Sequence, residues 1–228
     1  MMKVISLANT AGGTGKSTSA HALSVAFSEY GKKTLLIDLD SKSSLTFRLG
    51  FEEERLSAAD FFTGTALRED SIMTTPERFD FIGSDSRLIN ITDLLSLTTL
   101  LKNLPKEYDL VVLDHASSFN PFLVMACNAS DLFVIPVEDD LHSLRGALQV
   151  KAILESTQAV CLHIGSPNEL TPKIDALIEP LDVSIEKSSS IELAAATTHS
   201  ILTHEKESVV SQSYRSAAYS ILELLGMD

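Results

Sequence analysis

Cysteine is scarce in this chain: there are two, Cys127 and Cys161, in 228 residues. Both lie among apolar neighbours without metal-type spacing, which predicts reduced core residues in a cytosolic protein. None of the six histidines belongs to an HExxH-like pair. No apolar run approaches the length of a membrane span, and the short one near the N-terminus is too brief for a signal peptide. No charge block, Pro/Gly linker, low-complexity tract or repeat divides the chain. Positive charge is also in short supply, with 18 Lys and Arg against 31 Asp and Glu and a formal net charge of −13. That balance argues against a general nucleic-acid binder, because phosphate affinity needs basic surface, but it leaves room for a small local basic patch.

What is present is apolar content, 44% of the residues, enough for one sizeable α/β core. We read residues 1–228 as one domain. Residues 3–8 read as a buried parallel strand and 19–30 as a helix with Ala22, Leu23, Ala26 and Phe27 inward. Between them stands Ala8-Asn9-Thr10-Ala11-Gly12-Gly13-Thr14-Gly15-Lys16-Ser17-Thr18. Strand, glycine loop and helix is the setting of a phosphate-binding loop. Glycines let successive N–H groups turn toward one anion, and the helix adds the unpaired N–H groups of its first turn. Lys16 would neutralise the β- and γ-phosphates, and Ser17 would ligate Mg²⁺.

Further strands are expected at 34–37, 79–82, 110–113, 131–137 and 159–164, with an edge strand at 181–186. Helices are expected at 56–62, 120–129, 139–155 (carrying Leu141, Leu144, Leu148 and Ile153), 190–198 and 209–225. One long helix is expected over 86–103, with Leu88, Ile91, Leu94, Leu95 and Leu101 in the core.

The loop departs from the ordinary phosphate-loop pattern, which has Gly where Thr10 stands. It resembles the deviant Walker A loop of the ParA/MinD family, KGGxGKS/T, except that the family's signature lysine is Ala11 here. The resemblance implies a P-loop NTPase fold, a mostly parallel twisted sheet with helices on both faces, and a slow ATPase using ATP and Mg²⁺. Gly12, Gly13, Thr14, Gly15, Lys16, Ser17 and Thr18 would hold the nucleotide. Asp38-Leu39-Asp40-Ser41-Lys42 is similar to the family's DxDPQ motif. By that likeness Asp40 orders water for attack on the γ-phosphate and Asp38 supports the Mg²⁺ shell, turn-capping being the alternative for both. The apolar run ending in Asp114 is similar to a Walker B strand, which places Asp114 on Mg²⁺ opposite Ser17; a turn aspartate is the alternative. His115 stands where the family has Cys-Pro-Pro or similar, and reads as a turn histidine or as a γ-phosphate or partner contact. His163 occupies the place of an Asn that reads the adenine edge.

In ParA-type ATPases two subunits sandwich two ATP molecules, and the signature lysine reaches the partner's phosphates. Ala11 cannot do so. Lys151, in the helix after strand 131–137, is the candidate replacement, and in both respects the chain resembles the McdA subgroup that positions carboxysomes; a solvated helix lysine is the alternative. Ile185-Glu186-Lys187 and Gln212-Ser213-Tyr214-Arg215 are similar to family segments whose basic residues hold DNA, which assigns that contact to Lys187 and Arg215. The function implied is a cytoplasmic, nucleoid-associated positioning ATPase. It would form an ATP-dependent homodimer, bind DNA non-specifically and respond to a small adaptor protein that stimulates hydrolysis. A carboxysome is the first cargo read, a plasmid or chromosome the next. The runner-up is a MinD-like membrane-associated switch, but the chain's end lacks the basic amphipathic helix this needs, so no stable membrane association is expected. Iron proteins and small-substrate ligases share the fold; Cys127 and Cys161 lack the glycine-rich setting of cluster ligands.

Overall fold

The computed structural model describes residues 1–54, 56–93 and 96–227. The strands are β1 (Lys3–Leu7), β2 (Thr34–Leu39), β3 (Met73–Thr74), β4 (Asp80–Ile82), β5 (Leu110–His115), β6 (Leu132–Glu138), β7 (Gln158–Ile164) and β8 (Glu179–Pro180). They form one sheet in the order β3-β4-β2-β5-β1-β6-β7-β8, parallel except for β3. The helices are α1 (Lys16–Glu29), α2 (Ser44–Arg48), α3 (Ala58–Phe62), α4 (Ser96–Lys102), α5 (Pro121–Cys127), α6 (Leu141–Lys151), α7 (Thr171–Asp175), α8 (Ser189–Ala195), α9 (Ile201–His204) and α10 (Val209–Leu224).

The central strands are apolar at consecutive positions because both sheet faces are covered. In β5, Leu110 and Val112 enter the core beneath α1, α2, α8, α9 and α10, while Val111 and Leu113 enter the core beneath α3 to α7. β1 is central, with β2 reached on one side and β6 on the other, so the chain reverses direction across the sheet there. Crevices of this kind, outside the carboxyl ends of parallel strands, are where ligands bind in open α/β sheets. Register brings three strand ends together: Leu7 pairs with Asp114, and Asp38 pairs with Asp114 from the other side.

Two expected elements differ. Residues 86–103 are not one helix but a 3₁₀ turn, Ser86–Asn90, followed by α4. Ile91 adopts extended backbone and ends the turn, and the Ser96 N–H and hydroxyl both bond the Asp93 carbonyl to begin anew. Leu88, Ile91 and Leu101 are buried as expected; Leu94 and Leu95 lie outside the described residues. The last edge strand falls at Glu179–Pro180 rather than 181–186, where a single bridge, Ile164 to Ile185, remains. In α6 the buried stripe is Ser143, Gly146, Ala147 and Val150, whereas Leu141 and Leu148 are exposed and Ile153 lies beyond the helix. Cys161 is buried and Cys127 half-buried, both as free thiols.

Small residues in α6 let it lie directly on the end of β1. The Asn9 amide donates to the Pro136 and Ser143 carbonyls and its oxygen accepts from the Ala11 N–H. A Cβ at position 146 would collide with Asn9 Oδ1 and stand 2.6 Å from the Ala11 backbone nitrogen. Gly146→Ala should therefore destabilise the fold by roughly 1–3 kcal/mol despite the better helix propensity of alanine, lowering the melting temperature by several degrees. Thermal unfolding of the variant checks this; an unchanged or raised melting temperature would contradict the packing described.

Candidate functional site

The loop between β1 and α1 is built for an anion. Gly13 and Gly15 take positive φ angles of 78° and 82°, which other residues adopt only with strain. α1 begins at Lys16, three residues before the expected start, with Gly15 as its cap and no side chain bonded to its first N–H groups. Those donors stay available to a ligand. Lys16 is buried and folds back over the loop, donating to the Ala11 carbonyl at 2.7 Å and the Ser117 hydroxyl at 2.8 Å. Burial pulls its pKa down, while Asp114 and Asp40 pull it back up.

The two strand-end carboxylates beside this lysine differ. Asp38 is fully buried but well supplied, accepting from the Asp40 N–H at 2.9 Å, the Thr46 N–H at 3.0 Å and the Thr46 hydroxyl at 2.7 Å. These bonds hold the β2–α2 loop, which gives Asp38 a positioning role beside the supporting role toward Mg²⁺ expected for it. Asp114 is equally buried, yet neither of its oxygens has a well-formed hydrogen bond, and the Ser17 hydroxyl is a donor close enough to act on it. Burial and then the neighbouring Asp38 push its pKa up to about 8, with Ser17, Arg48 and Lys16 acting in the opposite sense. A buried carboxylate without a well-formed hydrogen bond is a position that a cation would complete. Among the described residues no cluster of three His, Cys, Asp or Glu encloses a metal. A site of one carboxylate and one hydroxyl suits Mg²⁺, which keeps several waters and takes its remaining ligands from substrate phosphates.

Asp40 is half-buried and caps the turn, its Oδ1 accepting from the Lys42 N–H at 2.9 Å. It also lines a cleft of about 220 Å³ with Leu39, Ser117 and Phe122, so it faces solvent near the lysine as well as capping. On the other side of the loop a cleft of about 450 Å³ is lined by Gly13, Gly15, Thr18, Lys187, Ile191 and Tyr214. The loop thus separates two clefts, and Lys16 reaches toward the first.

Several assignments change. His115 is not in a turn: it is the last residue of β5, buried, bonded through Nε2 to Ser6 Oγ at 2.9 Å and stacked on Phe133. Burial pushes its pKa down to about 3, helped by Lys16, so it is neutral. His163 is held between Asp139 and Asp175, 3.0 Å and 2.7 Å from its two ring nitrogens. Asp139 is further bonded to Thr171. With both nitrogens engaged, His163 has no edge left for a base. Lys151 is exposed at the end of α6 and makes no ion pair among the described residues. Gln149, two residues earlier, accepts from the Thr10 hydroxyl at 2.6 Å, which sets that end of α6 beside the loop. Lys187 pairs with Glu138 and Arg215 with Glu29, each at 2.6 Å. Lys187 stands by Gly15 at the start of the 14-residue α1 and Arg215 at its end, about 20 Å apart. They do not form one patch within a single chain.

Sequence reasoning missed Ser117, the partner of Lys16, and Tyr214, whose hydroxyl meets Ser19 at 3.1 Å in the second cleft. It also missed Arg48, whose Nη1 donates to the Thr18 hydroxyl at 3.0 Å. Ser117 and Arg48 lie outside the quoted motifs, and Tyr214 stands in one that was read only for Arg215. Each reaches the loop from a different element.

A site of this construction defines a P-loop NTPase. The family model described as "AAA domain" matches residues 2–163. The chain is 33% identical over 160 residues to the chromosome-partitioning ATPase Soj of Thermus thermophilus, covering 68% of this chain and 62% of that one. It is 28% identical over 171 residues to the maintenance of carboxysome distribution protein A of Synechococcus elongatus, covering 69% of this chain and 68% of that one. Its fold is shared with the septum site-determining protein MinD of Pyrococcus horikoshii complexed with Mg-ADP, at a TM-score of 0.82 and 23% identity over 100% of this chain and 98% of that one. The chain belongs to the ParA/MinD family of ATPases.

The pKa of Asp114 yields a test. Its folded value, about 8, lies above the ordinary 3.8, so the folded protein holds a proton the unfolded chain has lost, and stability falls as pH rises between the two. Asp114→Asn removes that loss. Without nucleotide, its melting temperature relative to the wild type should climb from about pH 4 to about pH 8 and then level off. A melting-temperature difference independent of pH would refute the assignment.

Proposed function

We propose that this ATPase is a positioning or partitioning protein of the ParA type, in which ATP with Mg²⁺ drives two copies into a sandwich dimer. The dimer holds DNA without sequence preference, and an adaptor stimulates hydrolysis and so dissolves the assembly. The observation that carries the reading is Asp114, a buried carboxylate without a well-formed hydrogen bond at the mouth of an anion-binding loop. Ser17 and Asp114 would hold Mg²⁺, which when bound neutralises charge on the phosphates. Lys16 is released from Ser117 and Ala11 to pair with phosphate. Asp40, at the opening of the adjoining cleft, orients water. The nucleotide loop and the segment after β5 are joined through the Lys16–Ser117 bond, so exchanging that bond for phosphate is a way for nucleotide state to reach the surface.

Dimerisation needs a cation across the interface that Ala11 does not supply. Lys151 meets the requirement of an exposed, unpaired positive charge near the loop. DNA contact through Lys187 and Arg215 requires each to be drawn from its acid, and a dimer would present two copies of both. The names of the relatives point to chromosomes and carboxysomes as cargo, and the absence of the loop lysine favours the carboxysome reading. The membrane-switch alternative is less well supported. α10 uses Ala217, Ala218, Ile221 and Leu222 in the core, and no described helix is long and apolar enough to cross a membrane.

Calorimetry and light scattering test the core of this reading. The wild type should bind ATP with Mg²⁺ and become dimeric with ATP but not ADP. Lys16→Ala should weaken binding by about a hundredfold or more, since a charge-assisted phosphate contact is lost. Lys151→Ala should bind ATP nearly normally yet stay monomeric. No uptake of ATP by the wild type would remove the proposal, and a normal dimer of the lysine-151 variant would remove that residue's role. DNA retention should require ATP and decline steeply with salt.

A further inference from the structure

Arg48 is a cation without an anion. In a chain with far more acids than bases, no Asp or Glu among the described residues pairs with it. Its one hydrogen bond is to the Thr18 hydroxyl, at 3.0 Å. A guanidinium has five N–H donors, and the others have no partner among the described residues. The side chain is largely withdrawn from solvent, which lowers its pKa, and it feels Asp114 first, then Tyr214 and Asp38. Its charge is thus felt by both strand-end carboxylates, Asp114 the more strongly.

Its position is set from both ends. Asp38 fixes the start of α2 by accepting from the Thr46 N–H and hydroxyl, and Arg48 follows two residues later. Thr18 stands in the first turn of α1, where unpaired N–H groups face the anion site. Thr18 lines the cleft shared by Lys187 and Tyr214, whereas Lys16 reaches the Ser117 side. Arg48 thus meets the start of α1 at Thr18, while Lys16 meets the segment after β5 at Ser117.

Nearby, Ala11 is 2% exposed beneath α6, and a Cβ on Gly146 would stand 2.9 Å from its own. Position 11 thus holds a buried alanine packed under α6 and supplies no cation to the loop.

We infer that Arg48 is a phosphate ligand supplied within the same subunit, contacting the nucleoside-proximal phosphates that ADP and ATP share. The inference rests on the nucleotide-binding reading above. It makes Arg48 distinct from Lys151, whose proposed contact crosses to a second subunit. A guanidinium can hold Thr18 and an oxyanion at once because its donors form a planar fork, which an ammonium cannot imitate.

The test is calorimetric titration of the full chain with ADP and with ATP, each with Mg²⁺, at several salt concentrations. Arg48→Gln should weaken both nucleotides by the same factor, about tenfold or more, the loss expected for one charge-assisted hydrogen bond. It should also flatten the salt dependence, while melting without nucleotide changes little. Arg48→Lys should fall between Gln and wild type, and it supplies the measurement if the Gln variant does not fold. Wild-type affinity in Arg48→Gln, or in Arg48→Lys where only that variant folds, would overturn the inference and mark Arg48 as a tie between α1 and α2. A loss confined to ATP would overturn it too, by moving the contact to the terminal phosphate. The nucleotide reading itself fails separately, if the wild type binds neither nucleotide or Lys16→Ala binds as the wild type does.

Discussion

The rest of the site is arranged around one costly burial, that of the Asp114 carboxylate with no well-formed hydrogen bond and Asp38 beside it. An isolated charge there is strongly disfavoured, and the buried Asp114–Asp38 pair responds by holding a proton well above the ordinary carboxylate range. The nearest compensation is two cations that do not touch it, Lys16 and Arg48. Each is instead tied to a neutral oxygen of the loop or its flank. Such bonds are weaker than ion pairs and readily exchanged for a phosphate. The frustration is local and serves binding: the cavity is prepared for a metal and an anion together, and each makes the other less costly to bury.

Asp38 shows the opposite treatment of the same residue type. Its backbone and hydroxyl donors fix residues 40–46, and through them both Asp40 and α2 take their positions. One strand-end aspartate thus accepts three bonds and builds a loop, while its register partner has no well-formed bond of its own. The segment after β5 completes the arrangement, since Ser117 bonds Lys16 and lines the same cleft as Asp40. Occupation of the loop would disturb the segments on both sides, and these border open surface. That would be a physical basis for the coupling of nucleotide state to a partner proposed above.

The close seating of α6 on the end of β1 sets the surroundings of Ala11, where the family's loop carries its signature lysine. Asn9 bonds the Ala11 N–H, and Gly146 lets α6 pass close to the loop backbone. Of the cations near the loop, Arg48 lies on α2 and Lys151 on α6. They differ in direction: Arg48 turns into its own loop, whereas Lys151 faces out.

Much was decided by local pattern alone. The order of strands and helices follows from consecutive apolar residues in β1, β2, β5 and β6, because strands covered on both faces need no polar alternation. The glycine loop, Lys16, Ser17 and the terminal aspartates are legible because their chemistry depends on neighbours in sequence. The break at residues 86–103 was not legible, since leucine spacing suits one helix or two and only the Asp93–Ser96 bonds distinguish them. Tertiary structure alone decided what each polar group meets. It locked His163 between Asp139 and Asp175, set His115 against Ser6, parted Lys187 from Arg215 by the length of α1, and laid Arg48 on Thr18. Those contacts join residues from about a dozen to more than a hundred positions apart, and chain spacing carries no record of which side chains a parallel sheet will bring face to face.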